Sequence, residues 1–199
     1  PGVSPGGGGH GGAGSGATFN SGKPYGDGKI TNLVGGSGGG GFITDFTGGG
    51  GAGAIRLVSN TKVVIDAPIR SVGGGGMSGS AGGSGGAIHV KANDIYLTEK
   101  SVLDVSGGAN GGGGGRIFLE SSNSFTNDAR KNIKLEGGDG VTLGTPGTFR
   151  IERPSELNEL DFRSGLLTID TDTATLLHSS GVVAYGTIED KFYQDAAGS

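Results

Sequence analysis

The chain has 199 residues, 48 of them glycine, and a formal net charge of −4 at pH 7. Glycine lies far above its average share of roughly 7%, but with 6 prolines and no strict Gly-x-y period the composition excludes collagen. The lack of cysteine excludes disulfides and thiolate metal sites, the mild acidity excludes a nucleic-acid-binding footprint, and no run approaches the ~20 apolar residues of a membrane helix.

Residues 1–54 consist mainly of glycine tracts, such as GGGGHGGAGSG, GGSGGGG and GGGGAG. These tracts can be interpreted as flexible linkers, as long ordered loops, or as extended polyproline-II-like strands packed against one another. The third interpretation is favoured because the interruptions are mostly Ala and Ser, and because glycine lets two backbones approach closely. We expect His10, inside the first tract, to face solvent. Since the chain starts at Pro1 without an initiator Met, we also expect a processed protein or a piece of a longer one.

Residues 55–148 alternate glycine tracts with short strand patterns, and the segments can be aligned. Each segment opens on an apolar strand, and the fourth lies just beyond residue 148: Ile55-Arg56-Leu57, Ile88-His89-Val90, Ile117-Phe118-Leu119 and Phe149-Arg150-Ile151. The opening residues are 33, 29 and 32 positions apart. The first three segments close on a second strand, with Ile69, Leu103 or Ile133 four residues before a glycine pair. A period of about 30 residues with a fixed order of tract and strands is typical of stacked repeats.

Alternation within these strands predicts that Ile88 and Val90 face a core while His89 and Lys91 face solvent. Because Arg56 and Phe118 occupy the position of His89 in the other segments, we interpret it as a tolerant surface position. Almost no part of the chain has a helical pattern. The predicted fold is therefore all-β and elongated, with β-solenoid-like repeats, packed polyproline-II-like glycine tracts and a C-terminal β segment.

Residues 149–199 hold only 4 of the 48 glycines. We therefore predict a Gly-rich repeat region over 1–148, with strand repeats starting near residues 54, 87 and 116, and a C-terminal β unit over 149–199. That unit is either a fourth repeat or a small separate β-domain. Within it, Asp170 and Asp172 would share one face of a strand and could bind Ca²⁺, although a solvated acidic strand face is the simpler interpretation.

No convergent set of polar residues predicts catalysis. The three histidines, His10, His89 and His178, lie in unrelated contexts. Carboxylates that a polysaccharide-cleaving β-solenoid enzyme could use are Asp66, Asp104, Asp170 with Asp172, and Glu189 with Asp190. We predict that the chain is not an enzyme and that it has no catalytic, cofactor-binding or metal-binding residues.

Glycan binding is favoured by exposed aromatic platforms, which the sequence does not indicate. Its aromatic candidates are scattered: Tyr25, Phe42, Phe46, Tyr96, Tyr185, Phe192 and Tyr193. No Asn-x-Ser/Thr sequon occurs, so any attached sugar would be O-linked.

The stretch GGSGGAIHV followed by VLDVSGGANGGGGGRIFLE resembles a Gly-rich module found in tandem in very large secreted surface proteins, including mastigoneme-type flagellar hair glycoproteins. The resemblance covers roughly residues 48–122 and fades beyond Leu135. It implies an extracellular structural or filament-forming protein, and no catalytic residues carry over from it. In composition alone, the chain is also similar to the Gly-rich bundles of certain phage tip adhesins and of one class of antifreeze protein.

Together these observations predict a structural repeat unit of an extracellular filament or cell-surface fibre, assembling end to end with copies of itself. The candidate joining surfaces are the Gly-rich start, Pro1 to Gly16, and the end, Val182 to Ser199. The alternative from another class is a phage-like or cell-surface adhesin or glycan-binding module with Gly-rich loops. A polysaccharide enzyme is the third hypothesis.

Overall fold

The computed structural model describes residues 6–15, 21–41, 47–77, 79–128, 132–140 and 143–152, together with the backbone of two strands at 174–178 and 181–186. The described residues contain no helix. They form ten strands: β1 (Ala54–Val58), β2 (Lys62–Ile65), β3 (Pro68–Arg70), β4 (Ala87–Leu97), β5 (Val102–Asp104), β6 (Arg116–Asn127), β7 (Ile133–Lys134), β8 (Thr148–Glu152), β9 (Ala174–His178) and β10 (Gly181–Gly186).

The largest sheet is parallel and has the order β1-β4-β6-β8, with β2 also paired to β4. Its register joins the residues that the sequence alignment makes equivalent, since Ile55 pairs with Ile88, Ile88 with Ile117, and Ile117 with Phe149. We name the paired segments repeat 1 (48–76), repeat 2 (81–110), repeat 3 (111–140) and repeat 4 (143–152). Each repeat therefore lies one strand further along the sheet than the repeat before it.

A second parallel sheet, β3-β5-β7, contains the strands that close the first three repeats. Ile69 pairs with Leu103 and Leu103 with Ile133, the three apolar residues that precede the glycine pairs. A separate antiparallel pair is formed by β9 and β10. The strand pattern of the described residues is thus set by the alternation and the spacing of their apolar residues.

The main core contains inward-facing residues of both parallel sheets. Ile88, Val90, Leu119, Leu103 and Ile133 are each fully buried there. Every second residue of a strand points to the same face of the sheet. Short strands can therefore build this core, because each repeat adds one apolar residue at each inward-facing position, next to the equivalent residue of the neighbouring repeat. The prediction that Ile88 and Val90 face a core is confirmed.

The described glycine tracts bond to one another through their backbones. Donors recur three residues apart: the N–H groups of Gly36 and Gly39 donate to Ala52 and Gly49, and those of Gly82 and Gly85 donate to Asn110 and Gly113. Most tract glycines also lie so close to a neighbouring tract that an added Cβ would come within 3.0 Å of backbone atoms. The described tracts therefore form a packed bundle, and the flexible-linker alternative does not hold for them.

Two predictions about exposure are wrong. His10 is 1% exposed and His89 is 6% exposed, and Phe118, which aligns with His89, is buried as well. The reason is that residues 6–15 and 21–31, which lack a strand pattern, cover the outward face of the large sheet: Ile30 packs against Ala87 and Phe118. Lys91, two positions beyond His89 on the same strand, is exposed as predicted.

The prediction that Pro1 to Gly16 forms a joining surface is also wrong for the described part of that segment. Residues 7–12 are buried in the chain's own tract bundle. Gly7 and Gly12, for instance, bond to Ser15 and Gly114. The other predicted joining surface, Val182 to Ser199, has no described side chains.

Candidate functional site

A polar cleft of about 370 Å³ opens on the outward face of the large sheet. One wall is the loop 29–31, and the floor is built from one column of paired residues in the first three repeats: Arg56, His89 and Phe118. Val58, Lys91, Glu120 and Glu152, two positions further along their strands, form its outer rim. Because parallel pairing puts equivalent residues side by side, four segments distant in sequence contribute to one surface.

His89 is the most constrained side chain of this cleft. The Nε of Arg56 donates a hydrogen bond to Nδ1 of His89 at 2.9 Å, so the neutral ring carries its proton on Nε2. Within the described part of the chain, Nε2 is buried and has no hydrogen-bond partner; the carboxylate of Glu120 lies 3.7 Å away. The ring stacks on Phe118 with centroids 4.8 Å apart. Burial, aided by the positive charge of Arg56, lowers the pKa of His89 and keeps it neutral near pH 7.

The remaining charges of the cleft are arranged in pairs. Lys91 binds Glu120, and Lys29 binds Glu152 at 3.2 Å. Glu152 also accepts from Arg150, and although burial raises its pKa, the hydrogen bonds to Arg150 and Lys29 outweigh burial and lower it. Glu152 is therefore held ionised, and both carboxylates are paired with a lysine, an arrangement that suits electrostatic binding better than proton transfer.

The loop that forms the cleft wall is held in a strained conformation. Ile30 has a φ of 48°, in the left-handed region that β-branched residues rarely adopt. Its side chain is buried, and its carbonyl accepts a hydrogen bond from the guanidinium of Arg56. Arg56 thus positions both the loop and His89.

His10 is a buried residue of the N-terminal glycine tract that connects this tract to repeat 2. Its Nδ1 donates to the carbonyl oxygens of Gly85 at 3.0 Å and Gly86 at 3.1 Å, and its ring contacts Tyr25. Burial lowers its pKa, with the nearby Arg116 acting in the same direction. His10 therefore fixes the N-terminal tract on repeat 2.

The structure does not bring the described carboxylate candidates together. Asp66 follows β2, is exposed, and accepts hydrogen bonds from Thr98 and Lys100, which lower its pKa. Asp104 ends β5 and accepts from Ser106. Among the residues that the structure describes, no group of three or more His, Asp or Glu side chains could hold a metal ion.

Several sequence candidates have no described side chains. They are Phe42, Phe46, Asp170, Asp172, His178, Tyr185, Glu189, Asp190, Phe192 and Tyr193. Of the described aromatic candidates, Tyr25 lies against His10, and Tyr96 lies under Lys62 at 5.4 Å from its ring centroid. The cleft itself was not predicted. The sequence feature that could have indicated it is the set of equivalent positions Arg56, His89 and Phe118, which we interpreted as a tolerant surface position because the three residues differ in type.

Repeat 1 forms an open end of the stack. Its edge strand β1 pairs only with β4 among the described strands. Ile55 is 36% exposed, whereas its column partners Ile88, Ile117 and Phe149 are at most 1% exposed. Leu57, Val63 and Ile69 are likewise only partly buried, although their partners in repeat 2 are fully buried. Repeat 1 therefore presents both an unpaired strand edge and apolar core residues.

Comparisons with protein-family models, with curated proteins and with solved structures give no match to this chain. Across the part of the chain that the structure describes, no helix is long and apolar enough to cross a membrane.

Proposed function

We propose that the chain is a non-catalytic structural repeat unit of an extracellular filament or cell-surface fibre, which joins further copies of itself end to end. The observation that carries this proposal is the open end at repeat 1, where columns that are sealed in repeats 2–4 remain partly exposed. The end of a stack of repeats must be covered for solubility. A further copy covers it with the same contacts that the repeats make with one another.

The proposed architecture is a β-solenoid-like stack beside a bundle of polyproline-II-like tracts. Support comes from the parallel register that advances by one strand per repeat. The three-residue spacing of the tract donors, as at Gly36 and Gly39, fits the three residues per turn of polyproline II. Such a bundle transmits tension through backbone hydrogen bonds in the tracts and through strand pairing in the sheets.

The extracellular location is proposed from the resemblance of residues 48–122 to the Gly-rich module of secreted surface proteins. O-linked glycans on exposed Ser or Thr are part of the same proposal. They would lie on a surface that the sheets and the tracts leave free.

Electron microscopy of the purified chain over a range of concentrations tests this function. We expect filaments whose diffraction contains the strand spacing of about 4.8 Å along the axis, since strands add in the direction of stacking. Particles that remain single at every concentration would overturn the proposal.

A glycan-binding or adhesin module is the second candidate, and the polar cleft beside His89 is the observation that favours it. Paired charges around an aromatic floor, as at Lys91, Glu120 and Phe118, could bind a polar ligand. Binding on a glycan array that is lost in Arg56→Ala, by a protein that forms no filaments, would support this candidate instead.

A further inference from the structure

The glycine tracts contain a contact that recurs from each repeat to the next. A Cβ added to a glycine of one repeat would lie within 3.0 Å of a carbonyl oxygen of the repeat before it. In each of these pairs the added Cβ belongs to the first glycine and the carbonyl oxygen to the second: Gly83 and Gly50, Gly86 and Gly53, Gly112 and Gly83, Gly115 and Gly86, Gly144 and Gly112, and Gly147 and Gly115. Their separations of 33, 29 and 32 residues equal those of the paired strands that follow them. In repeats 2, 3 and 4, two glycines therefore lie in close contact with two carbonyl oxygens of the preceding repeat, where a side chain would not fit.

Repeat 1 has these two glycines but no predecessor. Gly50 and Gly53 occupy the positions of Gly83 and Gly86, yet a Cβ at either position would have no described atom within 4 Å. Both residues are exposed, and neither has a φ in the left-handed region. Neither the packing nor the backbone conformation of repeat 1 therefore requires glycine at these positions.

The missing predecessor must contribute a tract with two carbonyl groups three residues apart, followed by a strand parallel to β1. No segment of the chain outside the described residues contains two consecutive glycines. The described tracts already pack against one another within the bundle. A repeat of a second copy would supply the required tract and strand together, and it would also cover Ile55 and the unpaired edge of β1.

We propose that Gly50, Gly53 and the edge of β1 form a receiving surface for a glycine-tract repeat of a second copy of this chain. Carbonyl groups of that copy rest on the two glycines, as those of Gly50 and Gly53 rest on Gly83 and Gly86. The contact has a direction, because one copy offers carbonyls and the other offers glycines. The resulting interface is heterologous, and it builds open head-to-tail assemblies and not closed dimers. This inference rests on the proposed filament function and identifies the surface that performs it.

The test uses the full 199-residue chain and the variant Gly50→Ala/Gly53→Ala. Because the added methyl groups meet none of the described residues, we expect the circular dichroism spectrum and the melting temperature to remain those of the wild type. Because they would meet carbonyl oxygens of the incoming copy, we expect the critical concentration for filament formation to rise at least about tenfold, which corresponds to 1.4 kcal/mol.

Two controls separate assembly from folding. Gly75→Ala adds a methyl group to an exposed tract glycine of the same repeat, where it would make an ordinary contact with Ala109, so it should fold and assemble normally. Gly83→Ala/Gly86→Ala makes the equivalent change inside the stack, where the methyl groups would meet Gly50 and Gly53, and it should lower the melting temperature.

The direction of assembly is tested by mixing. A small fraction of Gly50→Ala/Gly53→Ala chains, added to wild-type chains, should shorten the filaments, since the substitutions alter only the receiving surface: a variant chain can still be added to a filament but cannot receive the next copy. Wild-type filaments with unchanged assembly of the variant would overturn the receiving surface and leave the filament function standing. A wild type that forms only symmetric dimers would overturn the head-to-tail arrangement. A wild type that never assembles would overturn both proposals.

Discussion

Lowering the pH from about 7 to about 5 should destabilise this protein through two buried histidines, His10 and His89. Burial lowers the pKa of both rings in the folded state. Above the ordinary value of 6.5, the folded and unfolded chains both carry neutral imidazoles. Below pH 6.5, the two histidines bind protons in the unfolded chain but stay neutral in the folded chain, so the free energy of unfolding falls as the pH falls.

The size of this effect follows from proton linkage. Each histidine that is protonated only in the unfolded state lowers the free energy of unfolding by about 1.4 kcal/mol per pH unit. Two such residues give about 2.7 kcal/mol per pH unit, until the pH reaches the lowered pKa of the folded state. Carboxyl groups with lowered pKa values, such as Asp94 and Glu152, lose their contribution only near or below pH 4, so they do not obscure this window.

Urea unfolding at several pH values, followed by circular dichroism, measures the slope. His10→Gln keeps an amide donor for the carbonyl groups of Gly85 and Gly86 but cannot titrate, and it should roughly halve the slope while lowering the stability at pH 7. His89→Gln is the matched variant in the cleft. A wild-type slope near zero over this window, or a slope that neither substitution changes, would refute the argument that both rings are buried and neutral.

Three substitutions probe the fold elsewhere. Leu119→Ala removes a fully buried side chain of β6 and should lower the free energy of unfolding, measured with urea, by about 2–5 kcal/mol. A decrease below about 1 kcal/mol would contradict the position of Leu119 in the core. Arg116→Met removes the hydrogen bonds that the guanidinium donates to the carbonyl groups of His10 and Tyr25, so trypsin should cut after Lys29 faster than in the wild type. Equal cutting rates would show that Arg116 does not hold this segment. Asn132→Ala removes the two hydrogen bonds that the buried amides of Asn132 and Asn127 exchange, and it should lower stability by about 1–3 kcal/mol, which a shift in melting temperature measures. An unchanged melting temperature would contradict that pairing.

The strand register was predictable because it depends on features visible in the chain itself. Ile55, Ile88, Ile117 and Phe149 each open an alternating strand, and equivalent positions pair in parallel. The spacing between these residues was therefore sufficient to predict which strand lies beside which. The solenoid-like arrangement and the boundary near residue 149 stay predictions.

The covered outward face was not predictable from alternation. Period-two alternation identifies two faces of a strand but does not say whether a second segment covers the outer one. Here the covering segment holds the sheet through backbone carbonyl groups, as in the hydrogen bonds from Arg56 to Ile30 and from Arg116 to Tyr25. Any residue type supplies a carbonyl, so these contacts leave no pattern in the sequence of the covering segment. That is why His10 and His89 were predicted to be exposed.

The tract bundle also determines how stability should vary with temperature. Its contacts are made by peptide groups, so unfolding the tracts exposes polar surface, which lowers the heat capacity of unfolding, where an apolar core would raise it. The heat capacity change per residue, measured by calorimetry, should therefore fall below the usual value of about 12–15 cal/mol/K. A small heat capacity change flattens the stability curve, and a flat curve keeps the free energy of unfolding nearly constant from cold to warm surroundings.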